Sequence, residues 1–276
     1  MDRLGEELAE YEGDIGVRNG RATENSVPLM CNSKLLVRQR PLFGQLVIAS
    51  LVYLAAFCCG LTGGFSGVLL PQLQANSSDL STDDEMGSWI VSVYTGATSV
   101  GCLISGVIMN VAGRRLTVQI AVICMSVGWV LISLAHSHTL MLIGRALDGF
   151  GRGLSVPAFT FHLEETSDPR LRGTLSACIL LAYSIGIMAV SMLGTALDWR
   201  IVAGLGVVIS LLDLIGYSFL PESPVWLARN SRVNQAQEVY NWLWGNAHHK
   251  QFILSRGQQT TACRPNLACY FFLYGL

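Results

Sequence analysis

Arg145, Asp148 and Arg152 stand at i, i+3 and i+7 inside a long apolar run, a spacing that puts all three on roughly one face of a helix. Asp213 is a further acidic residue deep within another apolar run. A charge at the centre of hydrocarbon costs on the order of 2.5 to 3.5 kcal/mol by insertion scales, so such residues face a bundle interior or a wet cavity. Two readings stand for the trio. Asp148 and Arg152, at i, i+4, neutralise each other as a structural pair, or the group lies on a substrate or proton path. For Asp213, too, a buried structural group and a proton carrier are both open.

A second set of candidate residues gathers where the apolar runs end. In the stretch from Gly106 through Asn110 to Arg115, Gly106 suits close helix approach and Gly113 a sharp turn. Arg114 and Arg115 sit where headgroups or acidic partners can take them, although an ordinary positive-inside loop reads the same way. Glu165 closes one run and Arg172-Gly173 opens the next, so acidic and basic helix ends can form polar locks. Pro221-Glu222-Ser223-Pro224-Val225-Trp226-Leu227 marks the handover from a membrane helix to a cytosolic one.

Other constellations carry less. Gly149-Phe150-Gly151-Arg152-Gly153 has the look of a nucleotide loop, but no strand precedes it and helix packing explains it. His136, His138, His248 and His249 have no acidic or cysteine partner at ligand spacing, so no metal site is expected. Cys58, Cys59, Cys102, Cys124 and Cys178 fall inside apolar runs as small fillers, and the eight cysteines make no disulfide framework. No nucleophile, base and orienting group converge on any segment, so an enzyme is not expected and no cofactor is implied.

The elements that must position these residues are membrane spans. Of 276 residues, 51% are hydrophobic and 13% charged, with a mean hydropathy of +0.45. Six runs approach the roughly 20 residues a spanning helix needs: Leu46 to Leu70, Ser88 to Val111, Thr117 to Ala135, Leu140 to Phe161, Leu175 to Ala196 and Ile201 to Leu220. Lipid satisfies no backbone donor or acceptor, so the expected fold is an all-α membrane protein, a six-transmembrane-helix bundle at 45–221. A cytosolic tail at 1–44 precedes it, and its first span reads as a permanent signal anchor. A cytosolic amphipathic helix lies in 222–247, where Val233, Ala236, Val239, Tyr240, Leu243 and Trp244 recur three or four apart, and a divergent tail fills 248–276.

Lys34, Arg38, Arg40, Arg114, Arg115, Arg170, Arg172, Arg229 and Arg232 flank alternate run ends, which predicts that both termini are cytosolic. The first outer loop carries Asp79, Asp83, Asp84 and Glu85 without Lys or Arg. It also holds the glycosylation sequon Asn76-Ser77-Ser78, usable only on the lumenal face and close to the membrane. The partners expected are membrane lipid and a small molecule. With a net charge of -1 and no basic block, no nucleic acid is expected.

Taken in order, these turns resemble the sugar porter family of the major facilitator superfamily, in particular the insect-type facilitated trehalose transporters. Gly106 to Arg115 resembles the superfamily's G-x-x-x-D-R-x-G-R-R, and Gly144-Arg145 with Glu165, then Arg172-Gly173, resembles its G-R … E … R-G stretch. Asp198-Trp199-Arg200 resembles the W-R entry to span six, and Pro221 to Leu227 resembles P-E-S-P-R-W-L. Gly64-Phe65-Ser66 with Leu70-Pro71-Gln72-Leu73 is similar to the end of span one in the insect members.

The resemblance, over about Leu46 to Gly245, implies half a major facilitator fold: two inverted three-helix repeats, with a sugar site near the midplane. It implies transport of trehalose or a hexose by alternating access, in the plasma membrane. It also places Gly106, Asn110, Gly113, Arg114, Arg115, Glu165, Arg172, Gly173 and Glu222 at a cytosolic gate whose ion pairs reach across to the other half. Departures are Asn110 and Val111 in place of the gate Asp and Arg, Thr160 and His162 in place of Pro and Tyr, Leu180 in place of a sugar-contacting Gln, and Val225 in place of Arg. The family has twelve spans. Two expectations follow: an incomplete or truncated sugar transporter chain, or a non-transporting six-span partner or regulatory isoform that pairs with a second half or a full-length relative.

Overall fold

Where water is absent a backbone must bond to itself, and long apolar stretches meet that demand as helices. In the computed structural model the chain divides into two units, Met1–Gln39 and Arg40–Leu276. The structure describes residues 41–74, 82–168 and 170–244, all in the second unit. The expected N-terminal tail up to residue 40, the tail at 248–276, and Asn76 with its sequon lie outside the described residues. The described part holds eight helices and no strand: α1 (Pro41–Gln74), α2 (Asp84–Ala112), α3 (Arg114–Ser133), α4 (His138–Thr166), α5 (Arg172–Ala196), α6 (Trp199–Phe219), α7 (Pro224–Arg229) and α8 (Val233–Trp244).

The six long helices match the six runs, with α1 beginning at Pro41, before the boundary read at 45, and continuing to Gln74. Five of them are apolar and long enough to cross a membrane. The exception is α4, which carries Arg145, Asp148 and Arg152 and four glycines between positions 144 and 153. Its charged residues are accommodated inside the bundle, with Arg145 and Asp148 fully buried. By contrast α5 shows Leu180, Leu181, Ile185, Met188 and Met192 on its exposed side.

Helix α1 packs on α5 and α6, α4 packs on α2 and α3, and α3 packs on α6. The two crossings α1/α5 and α4/α2 are built alike. A Cβ on Gly60 would overlap the Tyr183 carbonyl, and one on Gly186 the Phe57 carbonyl. Equally, a Cβ on Gly153 would overlap the Thr98 carbonyl, and one on Gly101 the Phe150 carbonyl. In each case the carbonyl belongs to the residue three before the partner glycine, so the backbones touch with the same local register. This relates α1–α3 to α4–α6 as inverted repeats, with α1 equivalent to α4 and α5 equivalent to α2.

Two apolar clusters fill the bundle. One holds Ile48, Ala56, Val122, Met125, Phe159, Leu163 and Tyr217; the other holds Phe65, Leu69, Trp129, Ile132, Met141 and Val202. Along α4, Met141 belongs to the second and Ala158 to the first, so Arg145, Asp148 and Arg152 lie in a polar layer between them. Phe65 meets Trp129 edge to face at 4.8 Å.

The amphipathic helix expected over Val233 to Trp244 is α8, and the short helix α7 precedes it. Ser223 caps α7, which begins with Pro224 at its first turn. Asn230, Ser231 (φ 62°) and Arg232 then turn the chain into α8. Leu243 of α8 is buried in the cluster that contains Ile48 near the start of α1, and Val239 packs against it. The helix thus rests on the bundle end where α1 begins.

Candidate functional site

The end of α2 shows why the turn to α3 needs glycine. Gly113 adopts φ +96°, the region that side chains disfavour, and its N–H bonds the Met109 carbonyl at 3.1 Å. A Cβ there would also lie 2.7 Å from Glu222 Oε2. The Glu222 carboxylate therefore occupies the space glycine leaves, at the N-terminus of α3, where free N–H groups and the helix dipole favour a negative group. Its Oε1 accepts from the backbone N–H of Arg114 at 2.9 Å, of Arg115 at 3.0 Å and of Ser223 at 3.1 Å.

Around this cap the side chains close a latch. Arg114 is buried; its Nη2 donates to Glu165 Oε1 at 2.6 Å and its Nη1 to the Met109 carbonyl at 3.4 Å. The other oxygen of Glu165 accepts from the Ser223 hydroxyl, which also caps α7. Arg115 Nη2 donates to the Ser218 carbonyl and Trp226 Nε1 to the Asn110 carbonyl at 3.1 Å. Five helices, α2 and α3 at their turn, α4 and α6 at their ends, and α7, are tied at one point. Gate-motif residues Arg114, Arg115, Glu165 and Glu222 meet as a set, and Arg114 pairs with Glu165 within this one bundle.

Other expected gate residues stand apart. Asn110 is exposed and contributes its backbone carbonyl only, and Val111 is 79% exposed. Gly106 is half-exposed on α2, and the close approach to α4 falls instead at Gly101. Gly173 is exposed, a Cβ there would meet nothing within 4 Å, and Arg172 is exposed at the start of α5. The charge Arg172 senses is Glu164, beyond the apolar part of α4. Burial raises the Glu164 carboxyl above its ordinary value; Arg172 pulls it down and Glu165 adds to the rise.

The polar layer forms the second centre. Arg145 pairs with Asp148 at 3.4 Å, so the partner of Asp148 is Arg145 at i−3 and not Arg152 at i+4. Arg145 Nη2 also donates to the Ser66 hydroxyl on α1, and its guanidinium lies 4.2 Å over the Tyr94 ring of α2 and 5.8 Å over Phe65. Arg152 reaches α5: its Nη2 donates to the Tyr183 hydroxyl at 2.9 Å, and it lies 5.4 Å over the Tyr183 ring and 5.8 Å over Tyr94. Thr62 bridges Tyr94 and the Cys59 carbonyl, at 3.3 and 3.0 Å. Arg152, Tyr183 and Ser66 are half-exposed whereas Arg145, Asp148, Tyr94 and Thr62 are buried, so the layer opens at Arg152. Asp213 lies elsewhere, on α6, fully buried within reach of Cys58, Cys59 and Tyr217, with no hydrogen bond to either carboxylate oxygen.

Sequence reading missed Thr62, Tyr94 and Tyr183 in the layer, and named Ser66, Ser223 and Gln72 only as motif positions, without the contacts they make in the layer, in the latch and at the opposite end. Gln72 Nε2 donates to the Gly194 and Leu197 carbonyls at 2.8 and 3.0 Å while its Oε1 accepts from the Trp199 N–H at 2.6 Å, joining α1 to α5 and α6. Single hydroxyls and amides in apolar runs have no spacing signal, because their partners lie on other helices.

A family model described as Sugar (and other) transporter matches residues 48–261, running past Gly245. "Facilitated trehalose transporter Tret1" of Culex quinquefasciatus is 29% identical over 204 residues, covering 74% of this chain and 40% of that protein. "Sugar transporter ERD6-like 6" of Arabidopsis thaliana is 32% identical over 216 residues, with 78% of this chain and 44% of that protein covered. The chain thus spans less than half the length of these relatives. Among solved structures, the inward open xylose transporter XylE from E. coli is similar with a TM-score of 0.69 at 19% identity, over 80% of this chain and 58% of that one, a likeness of fold.

Proposed function

Because the chain belongs to the sugar (and other) transporter family, we propose that its six-helix unit forms one half of a carrier that moves trehalose or a hexose across the plasma membrane by alternating access. The observation that carries this reading is the polar layer between α1, α2, α4 and α5. An apolar bundle retains there the hydroxyls of Thr62, Ser66, Tyr94 and Tyr183 beside two guanidiniums, and the layer is half-exposed at one side. Sugar hydroxyls both donate and accept, and such convergent groups next to aromatic rings suit them.

A second six-helix unit completes the path, on the same polypeptide or on a partner. The latch around Glu222 fixes the ends of α2, α3, α4, α6 and α7, so that the unit rocks as one body against its counterpart. The distribution of Lys and Arg supports a cytosolic position for this latch and for both chain termini. Uptake of labelled trehalose and glucose into proteoliposomes tests the reading, with the full chain alone and together with a full-length relative. Saturable uptake that unlabelled sugar accelerates by counterflow supports it. Sugar entry no faster than in empty vesicles, and no gain over the relative alone, sinks it.

A further inference from the structure

The trio on α4 holds two guanidiniums and one carboxylate. Arg145 is answered by Asp148, at 3.4 Å. Arg152 has no carboxylate within ion-pair distance among the described residues, whose two salt bridges are Arg114–Glu165 and Arg145–Asp148. From each neighbouring helix the groups that face Arg152 are neutral: the Tyr183 hydroxyl from α5, the Tyr94 ring from α2 and Cys59 from α1. Asp213 reaches Cys59 from α6 but makes no hydrogen bond or salt bridge to Arg152. Within the trio, two guanidiniums stand against one carboxylate, and the guanidinium without an ion pair is the half-exposed one, Arg152.

A structural arginine would be neutralised and covered, like Arg145. Arg152 is instead held from two sides by aromatic residues that position its plane without removing its charge. A planar guanidinium so placed in a medium of low dielectric is a carboxylate receptor, since it offers paired N–H donors matched to two oxygens. A single carboxylate would give Arg152 the ion pair that Arg145 already has with Asp148.

We propose that Arg152, positioned by Tyr183 and Tyr94, is an anion-recognition point, and that the preferred solute is a sugar carrying one carboxylate, of the uronate class, over a neutral sugar. The inference rests on the sugar-carrier reading and names the substrate class of the same site. Neutral sugars remain weaker ligands, held by the hydroxyls of the layer.

Equilibrium binding to the purified full chain in lipid nanodiscs tests this, with D-glucuronate, its neutral methyl ester and D-glucose as probes. Glucuronate is expected to bind about tenfold or more tighter than either neutral compound, the scale of one charge-assisted hydrogen bond. Arg152→Gln should abolish the preference, bringing the ratio of glucuronate to glucose affinity to about one whatever its effect on glucose itself, and Arg152→Lys should restore part of the preference. Equal affinity of the unaltered chain for glucuronate and glucose overturns the proposal and leaves the sugar reading standing. Absence of binding by all three probes overturns both. The preference in the unaltered chain decides the matter even where Arg152→Gln fails to fold.

Discussion

Glu222 acts through its backbone partners more than as a countercharge. One carboxylate oxygen takes three N–H groups, and the other lies against a glycine in the left-handed region. Gly113→Ala must therefore pay twice, for φ +96° and for displacing the carboxylate, and is expected to destabilise by about 2 kcal/mol or more. Glu165→Gln leaves the largely buried Arg114 guanidinium with a neutral partner and should cost about 2 kcal/mol. Thermal unfolding in detergent reads both, at roughly 2 to 4 °C of Tm per kcal/mol. A Gly113→Ala protein as stable as the parent would refute the account of the cap. Arg114, Arg115, Glu165 and Glu222 were legible in the sequence because motif spacing marks helix ends. Arg172 was grouped with them on the same grounds, yet it stands exposed at the start of α5, outside the ion pair that Arg114 and Glu165 make. Motifs record which residues stand at an end; they do not record which way each side chain leaves it.

At the scale of elements, helix contacts inside lipid depend on backbone approach, since lipid chains are as apolar as the side chains they would replace. The paired crossings Gly60/Gly186 and Gly101/Gly153 illustrate this. Gly153→Val should separate α4 from α2 and cost roughly 1 to 3 kcal/mol, as overpacking does. Gly101→Val enters the same crossing, so the double variant should lose less than the two single losses together. Gly96→Ala on α2 is the control. A Cβ there meets nothing within 4 Å, so the variant should be neutral or gain up to about 1 kcal/mol of helix propensity. Equal losses at Gly96 and Gly153 would contradict the crossing. Six long helices and their approximate ends were readable from hydropathy, and so was the apolar period of α8 from Val233 onward; the short helix α7 was not, because six residues are too few to show a period.

At the scale of the molecule, two apolar clusters are separated by a polar layer on α4, and one bundle end is tied by the latch. The presence of charges inside a span was evident from the sequence, but their pairing was not. The i, i+4 spacing favoured Asp148 with Arg152, while the fold pairs Asp148 with Arg145 and sends Arg152 to Tyr183. The Tyr183 hydroxyl that takes Arg152 stands on another helix, so spacing along α4 carries no sign of it. The central claim is that this layer is the solute site of a carrier, reached from water and occupied by sugar. Labelling of Tyr183→Cys with a membrane-impermeant thiol reagent in sealed vesicles, against the unaltered chain as background, tests it most directly. The account predicts labelling that sugar slows in a saturable manner. No labelling above background from either side, or labelling indifferent to every sugar tried, would contradict it.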